Sequence, residues 1–275
     1  MRKIIPRRIY QQFRAMTGSF YAQVQTGKLK SSRTAHFAQT EAMAHGLLMA
    51  TETAKQYGHK SIAVAEFGVF DGRGLRLMAS MAQRLSKQSG VEIKVYGFDT
   101  GTGLPAPKDW RDLPHIMGEG GYAMSGVDAL RLELKGKAEL VINDIGKIGK
   151  LSNVLDPTVP VGFAAVDVDL HSSTLATFEL LATAEKMALL PMVNLYIRNS
   201  FTRQYYTRFV AGLLAVDDFN RNSETKKIDI DRSISHWYGT VEPWHASMYV
   251  MHTLDYQSKK IGWKEAETAI QGPES

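Results

Sequence analysis

The chain has 275 residues and no cysteine. Disulfides and thiol chemistry are therefore excluded, and a reducing cytoplasm is the expected setting. No apolar run approaches the roughly 18 residues that a membrane-spanning helix needs, so no transmembrane segment is expected. Acidic residues are missing from the first 40 positions, which hold eight Lys or Arg. Since the formal net charge is +5, the remainder carries −3, and the basic character belongs to the N-terminal arm. No apolar core of a signal peptide follows Arg8, so secretion is not expected. The arm reads instead as a helical cover over a site, with an anionic partner or a targeting role as competing readings. Internal repeats and low-complexity tracts are also lacking.

What is present is an alternating pattern of strands and helices. Apolar runs near 62–67, 93–98, 139–143 and 162–167, and Met192 to Ile197, read as strands. Helical faces are expected over 36–57, 73–88, 125–134, 174–189 and Phe201 to Phe219. Such alternation argues for a parallel sheet covered on both faces. Lys227 to Ile234 and Ser247 to Leu254 read as further strands. The chain divides into a basic arm (1–58), an α/β domain (59–265) and a short tail (266–275).

The sharpest local signal is Val64-Ala65-Glu66-Phe67-Gly68-Val69-Phe70-Asp71-Gly72-Arg73-Gly74. It reads as a buried strand, a glycine-rich turn and a helix start, with Glu66, Gly68 and Gly72 candidate ligand contacts. That geometry suits a nucleotide-like ligand at the carboxyl edge of a parallel sheet. The spacing is not the G-x-G-x-x-G of dinucleotide enzymes. A second strand ends in Val95-Tyr96-Gly97-Phe98-Asp99, followed by Thr100. Asp99 is placed to accept from ribose hydroxyls or to cap the Gly101-Thr102-Gly103 turn.

Three segments together resemble the S-adenosylmethionine-dependent methyltransferases, and within them the macrocin O-methyltransferase-like group. They are Glu66-Phe67-Gly68-Val69 with Gly72, Gly97-Phe98-Asp99-Thr100 with Gly103-Leu104-Pro105, and Asp167-Val168-Asp169-Leu170-His171-Ser172-Ser173-Thr174. The last is similar to the family's D-x-D-L-Y-S-S-T. The resemblance implies a Rossmann-like seven-strand sheet, mostly parallel with an antiparallel last strand and helices on both faces. It implies S-adenosylmethionine as cofactor and transfer of a methyl group to a small-molecule acceptor, usually at a hydroxyl. A homodimer is the candidate assembly. Asp144, after Asn143 at the third strand tip, stands where related enzymes contact the adenine amino group.

Asp167 and Asp169 at the fourth strand tip are the candidate active-site acids, and they are also the weak candidates for a magnesium ion. The resemblance implies a second acidic pair after the fifth strand, but Arg198-Asn199 stands there. A guanidinium repels a cation, so magnesium, possible in the family, is expected to be absent here. Asp217-Asp218 lies further on in a helical setting and reads as a decoy. Candidate bases for a hydroxyl acceptor are Asp167, His171, His115 and His36. The competing functions are a non-catalytic cofactor-binding protein and an RNA methyltransferase guided by the arm. No RNA-binding motif supports the latter, and nucleic acid is not an expected partner.

Overall fold

The computed structural model describes residues 35–185, 188–198, 207–238 and 241–256. The basic stretch 1–34, Asn199, the side chain of His36 and the tail lie outside the described residues.

Seven strands form one sheet: β1 (Ser61–Phe67), β2 (Glu92–Asp99), β3 (Glu139–Ile142), β4 (Val161–Val166), β5 (Leu189–Ile197), β6 (Lys226–Ile230) and β7 (Met248–Thr253). Their order is β3-β2-β1-β4-β5-β7-β6. The first five are parallel, and β7 runs antiparallel to both β5 and β6. The chain winds outward from β1 to β3 and returns to β4 beside β1. The carboxyl ends of β1 and β4 therefore flank the switch point where such sheets bind ligands.

The helices are α1 (Ala35–Gln56), α2 (Arg73–Ser89), α3 (Val127–Glu133), α4 (His171–Ala182), α5 (Ala211–Asn222) and α6 (Ile234–Tyr238). Successive strand residues point to opposite faces, which splits the core in two. Ile62, Val64, Phe163 and Tyr196 join the α1 and α2 side chains on one face. Ala63, Ala65, Phe67, Ala164 and Leu195 join Phe178 of α4 and Phe219 of α5 on the other. In α2 the buried residues Leu75, Met78, Ala79, Ala82 and Leu85 fall at helical spacing. Gly90 closes that helix in the left-handed region, its N–H donating to the Ser86 carbonyl at 3.0 Å.

The sequence placed residues 36–57 with the arm. In the structure Met43, Ala44, Leu47 and Leu48 of α1 are fully buried in the first core. A Cβ on Gly46 would stand 2.2 Å from the Phe163 ring, so helix and sheet are in close contact there. The division expected at residue 58 thus runs between two parts of one core.

Three boundaries also differ from expectation. α4 starts at His171 and ends at Ala182, not 189. β5 begins at Leu189, and Pro191 sits in an irregular stretch between the Val161–Leu189 and Phe163–Asn194 pairs. That bulge is where a strand tolerates a residue with no N–H. Residues 231–234 leave β6 early, and Ile234 opens α6.

Candidate active site

A cavity of about 860 Å³ opens at the carboxyl ends of the parallel strands. Glu66, Asp99, Asp144, Asp167 and Arg198 bring the tips of β1 to β5 into its wall. Gly68, Thr100, Asp169 and Gln39 line it as well.

The glycine turn is held by the protein itself. Gly68 has φ +91°, and a Cβ there would lie 2.2 Å from the Asp167 carbonyl oxygen. A Cβ on Gly74 would lie 1.8 Å from Glu66 Oε1. Both glycines therefore permit β1, β4 and the start of α2 to converge, a role distinct from the expected close approach to a ligand. Asp99 closes the same turn: Val69 N and Phe70 N donate to its Oδ2 at 2.9 and 3.0 Å, and Gly101 N donates to Oδ1 at 2.8 Å. The capping role weighed for Asp99 is thus present, with acceptor capacity left for a ligand. Thr100 Oγ1 donates to the Gly103 carbonyl at 2.7 Å. Asn143 is exposed and does not line the cavity, whereas Asp144 does, accepting from Gly146 N at 3.0 Å.

Deeper in, the acids gather. Glu66 is buried, and its Oε2 has no hydrogen-bond partner among the described residues. Burial, then Asp167, push its carboxyl well above the usual range, opposed by Arg198. Asp167 accepts from Arg198 Nη1 on both oxygens, at 3.0 and 2.8 Å, and from Gln39 Nε2 at 3.3 Å. Burial still raises Asp167 to about 6 against the pull of the guanidinium. Asp169 is half-buried, lines the cavity and makes no hydrogen bond or ion pair among the described residues. Burial raises its carboxyl too, and Arg198 lowers it.

The histidines behave differently. His171 is buried but turned away from the cavity, its Nε2 3.0 Å from Asp218 Oδ2. It is not among the lining residues, so the structure does not bring it to Asp167. His115 is exposed on the loop after β2 and also lies outside the lining. Asp218 further pairs with Arg221 and Arg111, and Asp217 pairs with Arg208, so neither reaches the site. No group of three His, Cys, Asp or Glu side chains suited to a metal occurs among the described residues. With Asp167 already bridged by Arg198, the residues present do not fit a magnesium ion.

Several contributors have no sequence signature. Gln39 reaches Asp167 from α1, a long-range contact. Asp112, buried, accepts from Lys108 N, Ser172 N and Ser172 Oγ at 2.8–2.9 Å, tying the loop after β2 to the start of α4. Phe70 and Tyr122 meet edge to face at the cavity wall, with centroids 5.5 Å apart. Both adopt positive φ (48° and 59°), as do Leu113 and Ala211 (54° and 49°). The last two are buried, while Phe70 and Tyr122 are 45% and 54% exposed.

The calicheamicin methyltransferase CalS11 aligns with this chain at a TM-score of 0.50, with 18% identity over 77% of this chain and 84% of that one. The fold is that of a class I methyltransferase. The O-methyltransferase NovP aligns at 0.49 with 15% identity, covering 77% and 78% of the two chains. The plantazolicin methyltransferase BpumL, solved in complex with SAH, aligns at 0.42 with 11% identity over 89% and 96%. No family model matches the chain, and no curated protein matches it. The methyltransferase fold carries the sheet order and switch-point cavity described above. Among the described residues no helix is long and apolar enough to cross a membrane.

Proposed function

We propose that the chain is an S-adenosylmethionine-dependent methyltransferase acting on a hydroxyl of a small molecule, in a reducing cytoplasm. The observation that carries this reading is the buried acid cluster in the cavity, above all Glu66 with its unpartnered oxygen. A buried acid without a partner calls for a donor or a cation from a ligand. S-adenosylmethionine brings both an ammonium and a sulfonium, whereas a dinucleotide would bring two phosphates to the same acids. When bound, it supplies an electrophilic methyl group.

The chain's residues divide the remaining work. Glu66 faces the cationic end of the cofactor. Asp99 and Asp144, at the β2 and β3 edge, offer acceptors to its nucleoside. Asp169, the cavity carboxylate at the β4 tip left without a partner, takes the proton of the acceptor hydroxyl. This replaces His171 and His115 as base, and it leaves Asp167 to hold Arg198. Orientation of acceptor and methyl by the cavity wall supplies much of the rate.

Calorimetry tests the reading. S-adenosylmethionine and its demethylated product should both bind, with NAD at least about 100-fold weaker. Glu66→Gln keeps the shape and removes the carboxyl that the cofactor's cation would ionise, and should weaken S-adenosylmethionine by about tenfold, equivalent to one charge-assisted hydrogen bond. Tight NAD binding, indifferent to Glu66, would overturn it.

A further inference from the structure

The guanidinium at the β5 tip is used on one side only. Arg198 Nη1 donates to both oxygens of Asp167, at 3.0 and 2.8 Å. An arginine fork usually meets a carboxylate with two nitrogens. Here Nε and Nη2 have no partner among the described residues, the side chain is 40% exposed, and the residue lines the cavity. Asp169, which also lines the cavity and lacks a partner, lies within electrostatic reach of it. Tyr196, the penultimate residue of β5, has a buried hydroxyl in the same neighbourhood, with no partner among the described residues.

A free carboxylate and a free guanidinium edge thus share one end of the cavity. The first accepts a proton, and the second donates two N–H groups to an oxygen that is losing one. The charge that Arg198 brings is fixed in place by Asp167, so nothing has to reorganise as the oxygen becomes anionic.

We propose that Arg198 holds the acceptor oxygen during transfer and selects an acidic hydroxyl, a phenol by class. The proposal rests on the methyltransferase reading. In the step, the acceptor O–H bond breaks and its proton passes to Asp169. The freed electron pair forms the new O–C bond as the C–S bond breaks, leaving its pair on a neutral sulfur. Arg198 stays bonded to the oxygen throughout and gives up no proton. No divalent ion is needed to stabilise the oxyanion.

The probe is 4-nitrophenol, whose phenolate absorbs in the visible. It is titrated across pH with the full-length protein, with and without saturating S-adenosylhomocysteine. The protein should bind the phenolate preferentially and lower the midpoint of the probe's ionisation by about one pH unit, a tenfold preference. Arg198→Gln should abolish the preference, Arg198→Lys should retain part of it, and Asp167→Asn should enhance it by leaving the guanidinium unneutralised. Circular dichroism melts confirm that each variant is folded. Should Arg198→Gln unfold, the Arg198→Lys and Asp167→Asn pair decides. An arginine serving only to neutralise Asp167 would leave the probe's ionisation unmoved in wild type and variants alike. That result, or failure of the probe to bind, overturns the proposal. Calorimetry with S-adenosylhomocysteine reads the cofactor site separately. Loss of cofactor binding with the phenolate preference intact would therefore overturn the methyltransferase reading and not the role of Arg198.

Discussion

Two groups of buried ionisable side chains lie on the α1 face of the sheet, and they are built in opposite ways. At the cavity, Asp167 is bonded to Arg198, whose charge opposes the rise that burial gives Glu66 and Asp169. Between α1, α6 and the turn Pro243–Ser247, Glu41, His45 and His245 are buried with no arginine or lysine bonded to them among the described residues. His45 Nδ1 meets Tyr238 Oη at 3.0 Å, and His245 Nδ1 meets Ser235 Oγ at 3.1 Å. Among the described residues, both Glu41 oxygens and the Nε2 atoms of both histidines lack partners. Burial, then Glu242, raises Glu41 to about 8. Burial also lowers His45 and His245 to about 4, against a weaker opposing pull from Asp231. The first group holds an ion pair, Arg198 with Asp167, where a ligand enters. The second sheds it and packs as if apolar, with Trp244 against both rings. Low dielectric alone thus does not make a site; a counter-charge and an opening do.

The largest break in this comparison comes from Glu41→Met. A polar group without a partner is replaced by an apolar one of similar volume, so urea unfolding at pH 8 should show a gain of about 1–3 kcal/mol. The unfolded carboxyl ionises near 4.5 while the folded one waits until about 8. Wild type therefore loses stability as pH rises across that window, and the gain should shrink towards pH 4.5. A gain independent of pH would show that Glu41 does not ionise late.

His45→Phe should act at the other end of the scale. His45 has a folded pKa of about 4, below its ordinary 6.5, so its contribution is lost as pH falls from 6.5 towards 4. The variant should be weaker by about 1 kcal/mol at pH 7, having lost the Tyr238 bond, and should overtake wild type within about one pH unit below 6.5, where the unfolded imidazole takes up a proton that the folded one does not. Stability curves that stay parallel from pH 7 to 4 would count against a neutral buried histidine.

The smallest effect on stability belongs to Asp169→Asn. With no partner to lose, its unfolding midpoint should match wild type to within about 0.5 kcal/mol. Methyl transfer at neutral pH should nonetheless fall by about 100-fold or more as the base is removed. Unchanged turnover with an intact fold would return the role to Asp167.

Much of this was legible in the sequence because it is local. The apolar runs of β1, β2 and β4 and the spacing in α2 set the parallel sheet, and acids at strand tips necessarily share one edge. Less legible was what depends on contact at a distance. Nothing near His171 announces Asp218, and that pairing is what draws it out of the cavity. Gln39 and Asp167 are 128 residues apart, and no periodicity links them. Pro191 suggested a strand beginning after it, because a ladder position without an N–H is costly unless a bulge absorbs it. Arg198 stood out by residue type, because it stands where the resemblance implies an acid, and the structure shows it bonded to Asp167.

The left-handed residues carry a consequence for how this protein would respond to selection. Leu113 and Ala211 recover their backbone strain through burial, so substituting them trades one loss for another. Phe70 and Tyr122 recover little, because each stays about half exposed at the cavity wall. Asparagine or glycine would sit more comfortably at either position. A lineage screened only for heat tolerance would drift towards those residues and lose its aromatic doorway. Their persistence would mark a lineage screened for what passes through it.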